Sequence, residues 1–306
     1  MSKLKDGVLH LENATAHSRL RPARSWCGAA AHGSPALRSG LVRLALAALA
    51  VASLPTLATS IISTSTANRV YFQHKGGLVE SWSVASNGAY QATAVVGHFG
   101  AWQLKTAGDI DGDGVNDLVF QPGPYTTAVL FMTTQSTVKG TAYLGYTGSY
   151  GEVKACADYE GLGHAQLFFQ TASGDASYWR LGTDGGNQAT FFLGTMSGWQ
   201  LCSAGDIDGD HKAELVWQNA SGDIAIWYHN PDGSIRASLP FSSGAWVPRA
   251  MLDLDGDGVS DLLWQTPDRN TSGWFLNSNG TARSAFFMGS TGNWVIKAAG
   301  HWMFTY

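Results

Sequence analysis

Residues 109–121 read Asp109-Ile-Asp-Gly-Asp-Gly-Val-Asn-Asp-Leu-Val-Phe-Gln121, and the chain repeats them. The pattern returns as Asp206 to Gln218 and as Asp253 to Gln265, and a worn copy runs from Asp158 to Gln170. The closing glutamine keeps the register: Gln73, Gln121, Gln170, Gln218 and Gln265 stand 48, 49, 48 and 47 residues apart. Nine residues after it come Trp82, Leu130, Trp179, Trp227 and Trp274. Seven residues before each loop position come Trp102, Gly151 (beside Tyr150), Trp199, Trp246 and Trp294. Three landmarks hold one period through five copies, so the repeat is the unit of structure.

Within a copy, apolar residues alternate and the pattern breaks at Gly, Asn and Asp, which predicts strands and hairpins. Around the Asp206 loop the expected strands are Trp199–Gly205, Leu215–Asn219, Ile224–His229 and Ile235–Phe241, with turns at Ser221-Gly222-Asp223 and Asn230-Pro231-Asp232-Gly233. Four short strands in about 48 residues predict an all-β fold, a propeller of five four-stranded blades. The first strand, Val70 to Gln73, matches the one that follows a loop, and the last, Trp294 to Ala299, matches the one that precedes it. The C-terminal strand is therefore expected to complete the first blade and close the ring, which removes free sheet edges.

In the 109–117 loop, Asp109, Asp111, Asp113 and Asp117 take positions 1, 3, 5 and 9, with Gly114 at position 6. Calcium takes six to eight hard oxygen ligands in forgiving geometry, and alternate carboxylates on a tight turn can converge on one ion. The carbonyl of Val115 at position 7 adds an oxygen, and Gly114 permits the turn that aims it inward. Four carboxylates this close repel one another unless a cation is present. An EF-hand needs a bidentate Glu at position 12 in a helix, whereas this position holds Phe120, Trp217 or Trp264 inside a strand. Asp253, Asp255, Asp257, Asp261 and the carbonyl of Val259 form a second complete set. The third keeps Asp206, Asp208 and Asp210, with the Lys212 carbonyl and Glu214, but has His211 where Gly is wanted. A non-Gly residue in a left-handed turn costs about 1 kcal/mol, so this loop is expected to be the weaker binder. The worn copy retains Asp158 and Glu160 but has Leu162 and Gln166 at other ligand positions, and is expected to bind nothing.

The run Gly108-Asp-Ile-Asp-Gly-Asp-Gly-Val-Asn-Asp-Leu-Val119 resembles the core of FG-GAP/VCBS repeats, the calcium-loop blades of integrin-type propellers and of many exported bacterial proteins. The resemblance extends from about residue 67 to the C-terminus. It implies a propeller with calcium in the hairpin between the first two strands of a blade, and recognition at a surface or outside the cell without naming a ligand. Members of that family more often have seven blades than the five counted in this sequence.

Residues 1–58 read as a leader outside the fold. Arg38 and Arg43 precede the apolar run 44–54, and Pro55 and Thr56-Leu57-Ala58 follow, the order of a secretory signal with cleavage after Ala58. The run is too short to span a bilayer, so no membrane span is expected once the leader is removed. Residues 59–66 read as a linker and 67–306 as the propeller. Without the leader, the chain holds 12 basic and 21 acidic residues, a net −9 that argues against a nucleic-acid partner. Only Cys156 and Cys202 remain, at non-equivalent repeat positions, which excludes a disulfide scaffold and favours free thiols.

Other residues also recur at fixed repeat positions. The five glutamines are expected to tie neighbouring backbones together, because buried polar groups need partners. Trp102, Trp199, Trp246 and Trp294 follow turns between blades and are candidate sugar-stacking residues, with packing as the alternative. Lys105, Lys154, Cys202, Arg249 and Lys297 share one repeat position and form a partial cationic ring if that strand lines the axis. No nucleophile elbow, His-Glu-x-x-His or phosphate loop occurs in the sequence. The expected function is a secreted or cell-surface calcium-binding module that recognises an extracellular glycan or protein. The alternatives are a propeller-type polysaccharide lyase or glycosidase with unmarked carboxylates, and a structural part of a larger assembly.

Overall fold

The computed structural model describes residues 68–123, 126–230, 234–236 and 241–300. The expected leader and linker lie outside them. The described chain is all-β. In chain order, β1 (Asn68–His74), β2 (Leu78–Val84) and β3 (Tyr90–His98) open the first blade. β4 (Gln103–Gly108), β5 (Asp117–Gly123), β6 (Thr126–Met132) and β7 (Val138–Tyr146) form the second. β8 (Glu152–Ala157), β9 (Gln166–Gln170), β10 (Asp175–Leu181) and β11 (Asn187–Thr195) form the third. β12 (Trp199–Gly205), β13 (Glu214–Asn219), β14 (Asp223–His229) and the short β15 (Ile235–Arg236) and β16 (Phe241–Ser242) form the fourth. β17 (Val247–Leu252), β18 (Asp261–Gln265), β19 (Asn270–Leu276) and β20 (Ala282–Ser290) form the fifth. The last strand, β21 (Trp294–Gly300), pairs antiparallel with β1 and completes the first blade.

These sheets are the blades of a five-bladed propeller. The innermost strands β4, β8, β12, β17 and β21 neighbour one another in turn, and β21 returns to β4. Each second strand is sandwiched between two blades, so both its faces are apolar. On β5, Leu118 and Phe120 join one seam while Val119 joins the next. This explains the continuous runs Leu-Val-Phe, Leu-Val-Trp and Leu-Leu-Trp where a half-exposed strand would alternate. Five apolar clusters fill the five seams. At about 25 cal/mol per Å² of apolar surface removed from water, these seams supply most of the drive to form the ring.

The expected strand Ile235–Phe241 is described at its two ends only: β15 pairs with the far end of β14 and β16 with its near end, and residues 237–240 lie outside the described residues.

The glutamines do what buried amides require. Gln73 Nε2 donates to Trp102 O (2.6 Å) while its Oε1 accepts from Leu104 N (3.0 Å), tying the first blade to the second. Gln170 repeats this with Trp199 O and Leu201 N, and Gln265 with Trp294 O and Ile296 N across the closure. Gln121 Oε1 accepts from Val153 N (3.2 Å). Gln218 Nε2 donates to Trp246 O (2.8 Å), but the residue that would donate to its Oε1 is Pro248, which has no N–H. Both cysteines are free, Cys156 buried beneath Gly108 and Cys202 half-buried on β12.

Candidate metal centres on the acidic loops

The acidic loops join each innermost strand to the second strand of its blade, β4 to β5, β12 to β13 and β17 to β18. In the first loop, Asp109 organises the turn. Its Oδ1 accepts from Gly112 N (2.8 Å) and Asp113 N (3.1 Å), and its Oδ2 from Gly114 N (2.8 Å). Asp117 anchors the loop to the blade, with Oδ2 accepting from Ile110 N (3.0 Å) and Oδ1 from Met132 N on β6 (2.9 Å). The loop at 253–261 repeats both roles, with Asp253 bonded to Gly256, Asp257 and Gly258, and Asp261 bonded to Leu254 and Leu276.

This folding brings carboxylates together. One oxygen each of Asp109, Asp111 and Asp117 lie within 4.8 Å of one another, as do those of Asp253, Asp255 and Asp261, and of Asp206, Asp208 and Asp210. Asp113 and Asp257 stand outside these trios. Each accepts from the amide two residues on, Val115 N and Val259 N, and faces a base with its other oxygen. Glu214 also stands outside its trio, with Oε2 accepting from Ile207 N (2.6 Å). At Lys212 the backbone amide donates to Asp210 (2.9 Å).

The trios fit a hard cation. Asp111 Oδ1, Asp255 Oδ1 and Glu214 Oε1 are buried without a hydrogen-bond partner, which is costly for a carboxylate and natural for a ligand. Burial pushes the Asp117 and Asp261 carboxyls up to about 7; the loop and β-strand amides offset part of this and the neighbouring aspartates add to it. Burial likewise pushes Glu214 up to about 8.

His211 has φ 65°, where Gly114 and Gly258 have 81° and 86°, so the expected backbone cost in the Asp206 loop is present. In the worn loop, Gln166 occupies the position of Asp117. Its Oε1 accepts from Tyr159 N (2.6 Å) and Glu160 N (3.0 Å), and its Nε2 donates to the position-7 carbonyl, His164 O (2.7 Å). An amide donor thus already satisfies that carbonyl. Glu160 is taken by Arg180, at 2.5 and 2.6 Å, and by Tyr178.

The structure adds residues that the sequence reasoning missed. Lys139 on β7 bridges Asp111 (2.8 Å) and Asp113; Arg283 on β20 bridges Asp255 and Asp257 (2.9 Å); Arg236 on β15 meets Asp208. Each stands eighteen residues after its blade's glutamine, and the same position in the two blades without a full acidic loop holds Gln91 and Gln188. The base accompanies the loop, a signal that was available in the repeat.

Trp102, Trp199, Trp246 and Trp294 are all half-buried, each backed by one of the seam clusters. Trp102 lies edge-on to Phe120 and Tyr143, and Trp294 is 5.2 Å from the His74 ring. Their carbonyls are the acceptors of the glutamine clamps, so the backbone at this position is structural while part of each indole meets solvent.

Comparison with known proteins places one repeat. Residues 206–264, from the fourth-blade loop to the second strand of the fifth blade, match the FG-GAP-like repeat family. No curated protein matches the chain. Among solved structures, a Photorhabdus luminescens Tc holotoxin pore carrying a TccC3 mutation is similar at 17% identity and TM-score 0.38, over 70% of this chain. This chain spans 11% of that one. A periplasmic gluconolactonase of Pseudomonas aeruginosa is similar at 12% identity and TM-score 0.42, covering 74% of this chain and 69% of its own. A Lactobacillus plantarum protein is similar at 14% identity and TM-score 0.38, with the same coverages of 74% and 69%.

Proposed function

We propose that the chain is an exported, calcium-binding propeller of FG-GAP/VCBS type that serves as a recognition or adhesion module for a glycan or protein at a cell surface. The observation that carries the calcium reading is the recurrence, in three blades, of three convergent carboxylates, two of the loops holding a buried, unpartnered aspartate oxygen. Asp109, Asp111 and Asp117, their counterparts Asp253, Asp255 and Asp261, and the trio Asp206, Asp208 and Asp210 would hold the ions. The repeat pattern adds Asp113, Asp257, Glu214 and the carbonyls of Val115, Lys212 and Val259. Calcium supplies the positive charge that these crowded oxygens lack. Lys139, Arg236 and Arg283 supply part of it from the chain itself.

Trp102, Trp199, Trp246 and Trp294 support the glycan reading because each presents part of an indole at the turn where one blade passes to the next. Stacking a sugar on an indole buries apolar C–H surface, so each site is weak and repetition supplies strength. The test is retention of the full chain on immobilised polysaccharides, with calcium and with chelator, for the wild type and for each Trp→Ala variant. The clamps use backbone carbonyls, so the variants are expected to keep the fold, losing less than the roughly 3–5 kcal/mol of a fully buried Trp→Ala. Retention is expected to fall stepwise. Unchanged retention in all four variants would return these residues to packing alone.

A further inference from the structure

The axis of the propeller holds a second constellation, separate from the acidic loops. Each innermost strand carries a β-bulge at the same repeat position. The pairing register shifts between Leu104 and Thr106, between Val153 and Ala155, between Leu201 and Ser203, and between Pro248 and Ala250. On β21 it skips from Ile296 to Ala298. The skipped residues are Lys105, Lys154, Cys202, Arg249 and Lys297, and all five line one axial cavity of about 190 Å³. A bulge re-aims a side chain and recurs where a fold needs one placed. Here five bulges turn five side chains to the axis, and four of them are cationic.

These charges are not balanced. Glu152 bridges Lys105 (2.9 Å) and Lys154 (2.8 Å), and it is the one carboxylate that lines the cavity among the described residues. Arg249 and Lys297, on the adjacent strands β17 and β21, have no ion pair among the described residues, and Arg249 Nε is buried with no hydrogen-bond partner. Burial, with Lys105 and Arg249 close by, pushes the Lys297 ammonium down to about 8. A third cation, Arg269, acts on both. Its position is held by Gly77, Gly174 and Gly222 in three other blades, and at Gly77 and Gly222 a Cβ would come within 2.2 and 2.4 Å of a carbonyl oxygen. Arg269 keeps the same left-handed backbone, φ 67°.

We infer that the axial cavity is a binding site for a divalent tetrahedral oxyanion, free sulfate or phosphate or a phosphate monoester at the end of a larger ligand, held by Arg249 and Lys297 with Lys105 and Lys154 around them. Four bulged cations against one carboxylate leave three unbalanced charges, which favours a dianion over a monoanion. The guanidinium provides a forked donor set that matches two oxygens, and the ammonium groups provide point charges for the others. None of the acidic-loop carboxylates lines the cavity.

The experiment is calorimetric titration of the full chain, in chelator, with sodium sulfate, inorganic phosphate and glucose 6-phosphate. Sodium chloride at matched ionic strength and glucose serve as controls. One saturable site is expected for sulfate and phosphate and none for the controls. Arg249→Gln and Lys297→Met are each expected to weaken binding roughly tenfold or more, the size of one lost charge-assisted hydrogen bond, while Lys75→Gln on the exposed surface changes nothing. Because removing an uncompensated cation relieves repulsion, both variants are also expected to melt no lower than wild type in the absence of anion and to lose its stabilisation by sulfate. Binding of glucose 6-phosphate as tightly as phosphate identifies an esterified group on a larger ligand as the source, and its failure identifies the free ion. A heat that chloride reproduces, or binding unchanged in both variants, overturns the site.

Discussion

At the scale of single residues, the repeat is a set of substitutions with readable physical consequences. The change of Asp117 to Gln166 between the second and third blades replaces an acceptor with a group that also donates, and His164 O receives that donation. The change of Gly114 to His211 keeps the turn but at a strained φ of 65°. Both were legible, because ligand chemistry and glycine conformation are local properties. What the sequence did not reveal is which oxygens converge: Asp113 and Asp257 share the ligand pattern but turn toward bases from another strand. The buried carboxyls also set a pH dependence. Asp117 and Asp261 lie near 7 and Glu214 near 8 in the folded chain, against about 4 for an unfolded carboxyl. A raised folded value means that the metal-free chain loses stability as pH rises from about 4 to about 7 or 8, with no further loss above. Metal binding requires the ionised form and offsets that loss. The difference in melting temperature between calcium and chelator is therefore expected to be small at pH 5 and large at pH 8, and Asp117→Asn and Asp261→Asn each to reduce the growth. An equal difference at both pH values would contradict the role given to these two carboxyls.

At the scale of strands and loops, much of the fold was legible in the periodicity. Alternation and turn residues located the strands, and the continuous apolar runs marked those enclosed by two seams. The fourth outer strand is described at its two ends, β15 and β16, and both pair with β14 as expected. The axial bulges were not legible, because a bulge is a property of two strands' register and only one strand is read at a time. The pairing of Lys139, Arg236 and Arg283 with the loops crosses a whole blade, from outermost strand to inner hairpin, so no local motif contains it. Its effect is testable. A tethered cation resting on the carboxylates competes with a free one, so Lys139→Gln and Arg283→Gln, which install the residue found at Gln91 and Gln188, are expected to tighten calcium binding by about two- to tenfold, the size of an exposed ion pair. Calorimetry on the chelator-treated protein reads this directly. Weaker binding in both variants would show instead that the bases hold the loops in shape for the ion.

At the scale of the whole molecule, closure makes the blades interdependent. Deleting β21 in thought removes the partner of β1, the acceptor and donor for Gln265, and part of two seams at once. The loops are linked as well. Ala165 N donates to Asp109 O (2.6 Å), Ala213 N to Asp158 O (2.8 Å) and Ser260 N to Asp206 O (2.6 Å), so each loop leans on the next round one face of the ring. The third-blade loop, which lacks the ligand set, is held by Gln166 and Arg180 and keeps this chain of contacts continuous. Ion binding at one loop is thus expected to stiffen its neighbours, and calcium to raise the stability of the ring as a unit. The most direct measurement is a calcium titration of the full chain after chelator treatment. The expected result is three ions, two tighter at the Asp109 and Asp253 loops and one weaker at the Asp206 loop, with dissociation constants of about 10⁻⁴ to 10⁻³ M as in extracellular modules, and no change when Asp158 is replaced by Ala. No bound calcium, or four or more ions, would contradict the assignment of these loops as three metal centres.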